Sequence, residues 1–175
     1  MSLSEQTTTT VAEGISITAM TEHDLLEVVE IEESSGLSRW GWAAYYAELQ
    51  GNNKHLMLVA RVSEAEKRRG RRRVAGYIVG RMGADELHIN NVAVREDYRR
   101  KGIGRALLSL ILEKGKRSGV PSAFLELRAG NTAALSLYEE CGFRVTAQRR
   151  SYYSDPVEDA LVMIVQLERT LDPLA

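Results

Sequence analysis

Four basic side chains, Arg99, Arg100, Lys101 and Arg105, surround the pair Gly102 and Gly104 in the stretch "RRKGIGRALL". Glycines let a main chain take positive φ angles and come close to a ligand. A helix that begins here aims unpaired N–H groups, and the positive end of its dipole, at the same place. Together these features suit a phosphate or a diphosphate, with Ile103 carried inside the loop. A tight turn would account for Gly-x-Gly by itself. Two nucleotide-binding alternatives fail on spacing. No G-x-x-x-x-G-K-[ST] string occurs, and the third glycine of a dinucleotide fingerprint is replaced by Leu107.

Other residues that could do chemistry lie downstream. Glu126, in "AFLELR", is flanked by Phe124, Leu125 and Leu127. A carboxylate in such a strand is costly to bury unless it is paired or functional. Strand alternation puts it on the face opposite Leu125 and Leu127. An ion pair with Arg128 or another arginine is the structural alternative to a functional role. Tyr138 shares a helical stripe with Ala134, Leu137 and Cys141, which read alone is a core stripe. Cys141 is the single cysteine and reads as a small buried hydrophobe, with no histidine placed to activate it. It can form no intramolecular disulfide, and His23, His55 and His88 lie too far apart for ligand spacing, so no metal site is expected.

The elements that must position these residues follow from periodicity. "ISITAM" alternates as a strand, and Thr21, with Asp24 three residues on, opens a helix over "EHDLLEVVEIEESS". "GLSRWGW" interrupts before a second helix, "AAYYAELQ", that stops at Gly51. "HLMLVARV" and "RVAGYIVGRM" predict an antiparallel hairpin around a basic loop, and "ELHINNVAV" a fourth strand. After the glycine loop, Leu107, Leu110 and Ile111 mark one face of a helix that Gly119 ends. "AFLEL" is a short strand, so strand, helix and strand form a right-handed unit with parallel strands. Asn131 caps a helix closed by Gly142, and "FRVTAQRRSYY" and "EDALVMIVQL" complete the pattern as a late strand pair. The expectation is one α/β (α+β) domain over residues 14–168 with a mixed sheet of about seven strands. Residues 1–13 read as a disordered lead-in and 169–175 as a tail.

Charge is unevenly spread. Six of the 23 basic residues fall in "KRRGRRR", residues 67–73, which leaves 17 basic against 24 acidic side chains elsewhere. A basic run of this kind could touch RNA or a ribosomal surface, but no aromatic residues interleave with it, and a solvated hairpin loop is the simpler reading. No stretch approaches the roughly 20 apolar residues of a membrane span. The polar N-terminal stretch lacks an apolar signal core, so a cytoplasmic protein with no membrane partner is expected.

The stretches "NVAVREDYRRKGIGRALL", "LELRAGNTAALSLYEECGF" and "RRSYYSDPVEDALVM" resemble the GNAT superfamily of N-acetyltransferases. The superfamily signature [QR]-x-x-G-x-[GA] is matched by Arg99, Gly102 and Gly104. The second and third stretches resemble the branch that acetylates protein N-termini, in particular RimI-type enzymes acting on the N-terminal alanine of a small-subunit ribosomal protein. The resemblance implies a sheet whose fourth and fifth strands splay apart, with helices on both faces. It further implies that acetyl-CoA is the cosubstrate, with no metal. Backbone groups of Val92, Ala93 and Val94 would bond the pantetheine arm and acetyl carbonyl, residues 99–105 the pyrophosphate, and Asn131 the cofactor arm. Glu126 would be the general base and Tyr138 the general acid. Tyr152 and Tyr153, placed on the turn between the last two strands, would clasp the first residues of a peptide substrate, with Trp40 on the opposite wall. The acidic remainder fits a substrate with basic residues beyond its N-terminus. Two departures bear on substrate choice: "EAEKRRGRRR" is longer than a hairpin turn needs, and "SDPVED" lacks a glycine. A GNAT enzyme acting on lysine or a small amine, and a non-catalytic CoA-binding or ribosome-associated module, are the alternatives.

Overall fold

The computed structural model describes residues 9–37, 39–51, 55–68, 70 and 72–167. Its strands are β1 (Thr9–Ala12), β2 (Ile15–Ala19), β3 (His55–Val62), β4 (Val74–Met82), β5 (Glu86–Val94), β6 (Ser122–Arg128), β7 (Arg144–Ser154) and β8 (Val157–Gln166). The α-helices α1 (Leu25–Ser34), α2 (Gly41–Gln50), α3 (Glu64–Arg68), α4 (Ile103–Arg117) and α5 (Thr132–Glu140) lie in between. The strands form one mixed sheet in the order β1-β2-β3-β4-β5-β6-β8-β7. Among the described residues the strands number eight, one more than the periodicity indicated, because residues of the polar lead-in form β1 and pair antiparallel with β2. Thr9, Thr10 and Val11 are β-branched and suit an extended edge despite their low hydrophobicity. The strands expected to splay as fourth and fifth are therefore β5 and β6.

Two compact units are distinguished along the chain, residues up to Val79 with Asn91–Leu107, and Gly80–Asn90 with residues from Leu108 onward. In the first unit, Leu25, Val28, Ile31, Tyr45, Val59, Val74, Tyr77 and Val79 form the centre of a buried cluster. The helix expected to open at Thr21 begins instead with a 3₁₀ turn, Glu22–Asp24, ahead of α1, and the Asp24 carboxylate accepts from the Thr21 N–H at 2.8 Å and its hydroxyl at 2.9 Å. Asp24 is itself held by Arg61 of β3. The basic loop contains a structure the sequence reading lacked. Residues 64–68 wind into α3, where Lys67 pairs with Glu64 one turn earlier. Val62 N–H then meets the Arg73 carbonyl at 2.8 Å, closing the base of the excursion.

In the second unit, β5 and β6 run parallel in a register from Glu86↔Ser122 to Ile89↔Leu125. The registered pairing stops there, although β5 continues to Val94 and β6 to Arg128. Along β6 burial alternates, so Ala123, Leu125 and Leu127 point into the core and Phe124, Glu126 and Arg128 share the other, half-buried face. All of β6 pairs antiparallel with β8, over Ala160–Gln166, and β7 adds to β8 as an exposed edge. Helix α4 buries Leu107, Leu108 and Ile111, and Gly119 follows it at φ +81. Among the described residues no helix is long and apolar enough to cross a membrane, and no group of three or more His, Cys, Asp or Glu side chains could hold a metal ion.

Candidate active site

The glycine loop joins the end of β5 to the first turn of α4 in the first unit. A 3₁₀ turn at Glu96–Tyr98 leads into it. Arg100 and Gly102 both take positive φ, at 62 and 77. A methyl group placed on Gly102 would meet no atom within 4 Å, so that residue borders open space and is glycine for its backbone angle. The Arg99 guanidinium bonds the Val94 carbonyl at 3.0 Å, tying the loop to β5. Lys101 lies 5.0 Å above the Tyr98 ring, and Arg99, Arg100, Lys101 and Arg105 are all exposed. Behind them, a methyl on Gly76 of β4 would sit 2.8 Å from the Ala93 carbonyl, so only glycine lets β4 lie so near Val92–Val94. A glycine loop with positive φ thus stands at the head of a 15-residue helix, a geometry that suits an anion.

Trp40, also in the first unit, is half-buried at the start of α2, its ring 5.4 Å from that of Tyr45. Trp42 is 44% exposed and stacks on Tyr46.

The second unit holds Glu126. Its side chain is 15% exposed, and three groups surround it. Arg149 of β7 lies 3.1 Å from one carboxylate oxygen, the Tyr152 hydroxyl donates to the other at 3.4 Å, and His88 Nε2 of β5 is 3.9 Å away. The arginine that pairs with Glu126 is therefore Arg149. Arg128 faces Glu158 at 3.2 Å and bonds the carbonyls of Asp155 and Pro156. It also covers the Tyr153 ring at 4.3 Å, which fixes that ring against the β7–β8 turn. Tyr152 and Tyr153 are not on the turn as expected but within β7. A bulge between Arg149 and Tyr153, with Ser151 at φ 47, re-aims the strand there. Burial, followed by the Glu126 charge, pushes the Tyr153 phenol up.

His88 and Arg149 were missed by sequence reasoning. The parallel register sets His88 opposite Phe124, and the two rings stack with centroids 4.2 Å apart. Asn90 bonds His88 Nδ1 at 3.3 Å, so the proton of a neutral ring rests on the Nε2 that faces Glu126. Burial lowers the His88 pKa from its usual value, with Glu126 opposing. A histidine with a lowered folded pKa contributes stability that is full above about pH 6.5 and is lost as pH falls through the folded value. The Tm of the wild type should therefore drop relative to that of His88→Gln as pH goes from about 7.5 to about 5 in thermal melts.

Asn131 caps α5 as expected, its Oδ1 accepting from the Ala134 N–H at 3.1 Å. That leaves its amide NH₂ to donate elsewhere. Tyr138 is 7% exposed, edge-on to Phe143 at 5.9 Å, and burial pushes its phenol pKa well up. Cys141 is half-buried, because it falls at the C-cap of α5 where the stripe turns outward, so the expectation of full burial is corrected.

The comparisons with known proteins extend over most of the chain. It is 39% identical over 97 residues to the [ribosomal protein bS18]-alanine N-acetyltransferase of Escherichia coli K12, a match that takes in 54% of this chain. That match spans 66% of the relative's own length, just under two thirds. It is 32% identical over 157 residues to the N-alpha-acetyltransferase RimI of Mycobacterium tuberculosis, 86% of this chain and 92% of that one. Its backbone resembles the crystal structure of the Escherichia coli ribosomal-protein-S18-alanine N-acetyltransferase with a TM-score of 0.76 at 28% identity, covering 92% of this chain and 99% of that one. Ard1 from Thermoplasma volcanium gives 0.77 at 26% identity, covering 89% and 99%. Residues 25–143, which hold the glycine loop, Glu126, Asn131 and Tyr138, match the model of the acetyltransferase (GNAT) family, and the chain is a member of that family.

Proposed function

We propose that this protein transfers an acetyl group from acetyl-CoA to the α-amine of a protein N-terminus, and that an N-terminal alanine of a small-subunit ribosomal protein is its substrate. The observation that carries the reading is the pairing of Glu126 with the Tyr152 hydroxyl at 3.4 Å. A half-buried carboxylate able to take a proton and an aromatic strand end able to hold a peptide come together in one unit. A lysine or small-amine enzyme has no need of that clasp.

The residues present fit acetyl-CoA. The loop 99–105 offers a positive-φ main chain bordering open space, a helix N-terminus and exposed basic side chains, which is what a pyrophosphate requires. Val92, Ala93 and Val94 are assigned to the pantetheine arm through their backbone groups, and Asn131 through its free amide. When bound, acetyl-CoA supplies a thioester carbon for attack. Glu126 removes the proton from the incoming ammonium, whose pKa of about 8 lets a modest base suffice. Tyr138 delivers its proton to the departing sulfur. Tyr152 and Tyr153 are assigned to the peptide backbone, and Trp40 is a further peptide-binding assignment.

The reading places the protein in the cytoplasm, where ribosomal N-termini are made. Contact of the loop 67–73 with RNA has less support, since Lys67 is paired with Glu64 and Arg72 lies 3.6 Å from Glu30.

The test is the initial rate of thiol release with acetyl-CoA and two peptides, one with a free alanine N-terminus and one N-blocked with an internal lysine. Turnover of the first alone is expected, and it should weaken mainly through a higher peptide KM in Tyr152→Phe/Tyr153→Phe. Turnover of the blocked peptide moves the protein to the lysine reading, and none with either peptide contradicts the assignment.

A further inference from the structure

Glu32 takes no part in the reaction assigned above, yet its carboxylate is among the most deeply buried polar groups, with the residue 1% exposed. All four groups bonded to it are neutral. Oε1 accepts from the Trp40 N–H at 2.9 Å, the Tyr45 hydroxyl at 2.7 Å and the Asn91 amide at 3.5 Å, and Oε2 accepts from the Gly41 N–H at 3.0 Å. Trp40 and Gly41 open α2, and their N–H groups are orphans of the first turn, so the carboxylate acts as a cap supplied from α1. Gly41 reaches it with a φ of 73, an angle that favours glycine. The network extends inward, with Tyr45 bonded to Tyr77 of β4 at 2.9 Å and Asn91 of β5 donating to Tyr45 at 2.9 Å. Burial raises the phenols of both Tyr45 and Tyr77, so both stay protonated donors.

A buried carboxylate without a cation is costly to hold, and one that only filled the core could be replaced by a hydrocarbon of similar shape. This one instead fixes two segments at once. It sets the backbone of the turn that presents Trp40, and through Asn91 it joins that turn to β5 one residue before Val92–Val94. We infer that Glu32 is a positioning residue, the joint that sets the α1–α2 turn and with it Trp40, the residue of this unit assigned to the peptide. This rests on the peptide N-terminal reading.

The experiment uses Glu32→Gln in the full chain carrying Trp42→Phe, so that Trp40 is the only tryptophan. Trp42 is exposed and phenylalanine keeps its stacking on Tyr46. Glutamine keeps one acceptor but presents an NH₂ group to one of the two backbone N–H groups, which have the same polarity. The expected result is a peptide KM raised about tenfold, with kcat and the acetyl-CoA KM each within about twofold of the parent. Trp40 emission should shift to the red and become more open to quenching by acrylamide. A folded Glu32→Gln protein with the parent's peptide KM and Trp40 emission would overturn the inference. If that protein does not fold, Tyr45→Phe removes one donor at constant volume. A peptide KM raised about threefold, with a red shift, supports the joint, and no change overturns it. Should the parent acetylate no peptide N-terminus, the reaction assignment fails by itself. The Trp40 shift then decides the joint alone, which stands with it and falls without it.

Discussion

Glu126→Gln is expected to lower kcat/KM for acetylation of a free peptide N-terminus by about 10²- to 10³-fold, a loss of about 3–4 kcal/mol of transition-state stabilisation. The substitution keeps the shape of the side chain and removes only its capacity to take a proton. Stability should change little. Its partner Arg149 is 52% exposed, so water replaces most of what the pair supplies, and exposed pairs are worth at most about 1 kcal/mol. Thermal melts thus separate loss of chemistry from loss of fold. The deficit should also depend on pH. Below about pH 8 most of the substrate arrives as ammonium and needs the base, and above it the amine arrives neutral. Rates measured from about pH 7 to about pH 9.5 should show the variant recovering toward the wild type. A variant that lags by the same factor across that range would mean that Glu126 serves binding or packing.

Tyr138→Phe is the second large effect, with kcat lowered about 10²-fold and acetyl-CoA binding by calorimetry within about twofold of the parent. Burial holds the Tyr138 phenol in its protonated form throughout the neutral range, so it is always able to donate. A free thiol titrates at about 8.5, and a thiolate released into the same dry surroundings is raised by the same desolvation, which narrows the gap that the proton must cross. Phenylalanine preserves the edge contact with Phe143, and loss of one hydroxyl should cost the fold about 1 kcal/mol. A Tyr138→Phe protein with full kcat would return the residue to the core stripe from which its sequence position cannot distinguish it.

What could be read from the chain alone divides along physical lines. The glycine loop was legible because positive φ at Gly102 and the head of α4 impose residue types locally. The face of Glu126 was legible from alternation along β6, and the Asn131 cap from its place before α5. The partners of Glu126 were not, because His88, Glu126 and Arg149 meet only through the β5–β6 register and a bulge in β7 that no periodicity announces. That bulge also explains why Tyr152 and Tyr153 lie within the strand. Strand β1 and helix α3 escaped notice for a different reason. One is a short polar edge, and the other is a single charged turn inside a basic run, and both carry little hydrophobic pattern. Glu32 does carry a signal in the sequence. It falls on the buried stripe of α1 with Leu25, Val28 and Ile31, and an acid on such a stripe calls for a partner.

The most direct measurement of the central claim is the position of the acetyl group in a single peptide that carries both a free alanine N-terminus and an internal lysine. The peptide would be incubated with enzyme and acetyl-CoA and then fragmented in the mass spectrometer. The account predicts acetyl on the N-terminal fragments alone, and none with Glu126→Gln at neutral pH over the same time. Acetyl on the lysine with the N-terminus left free would contradict it.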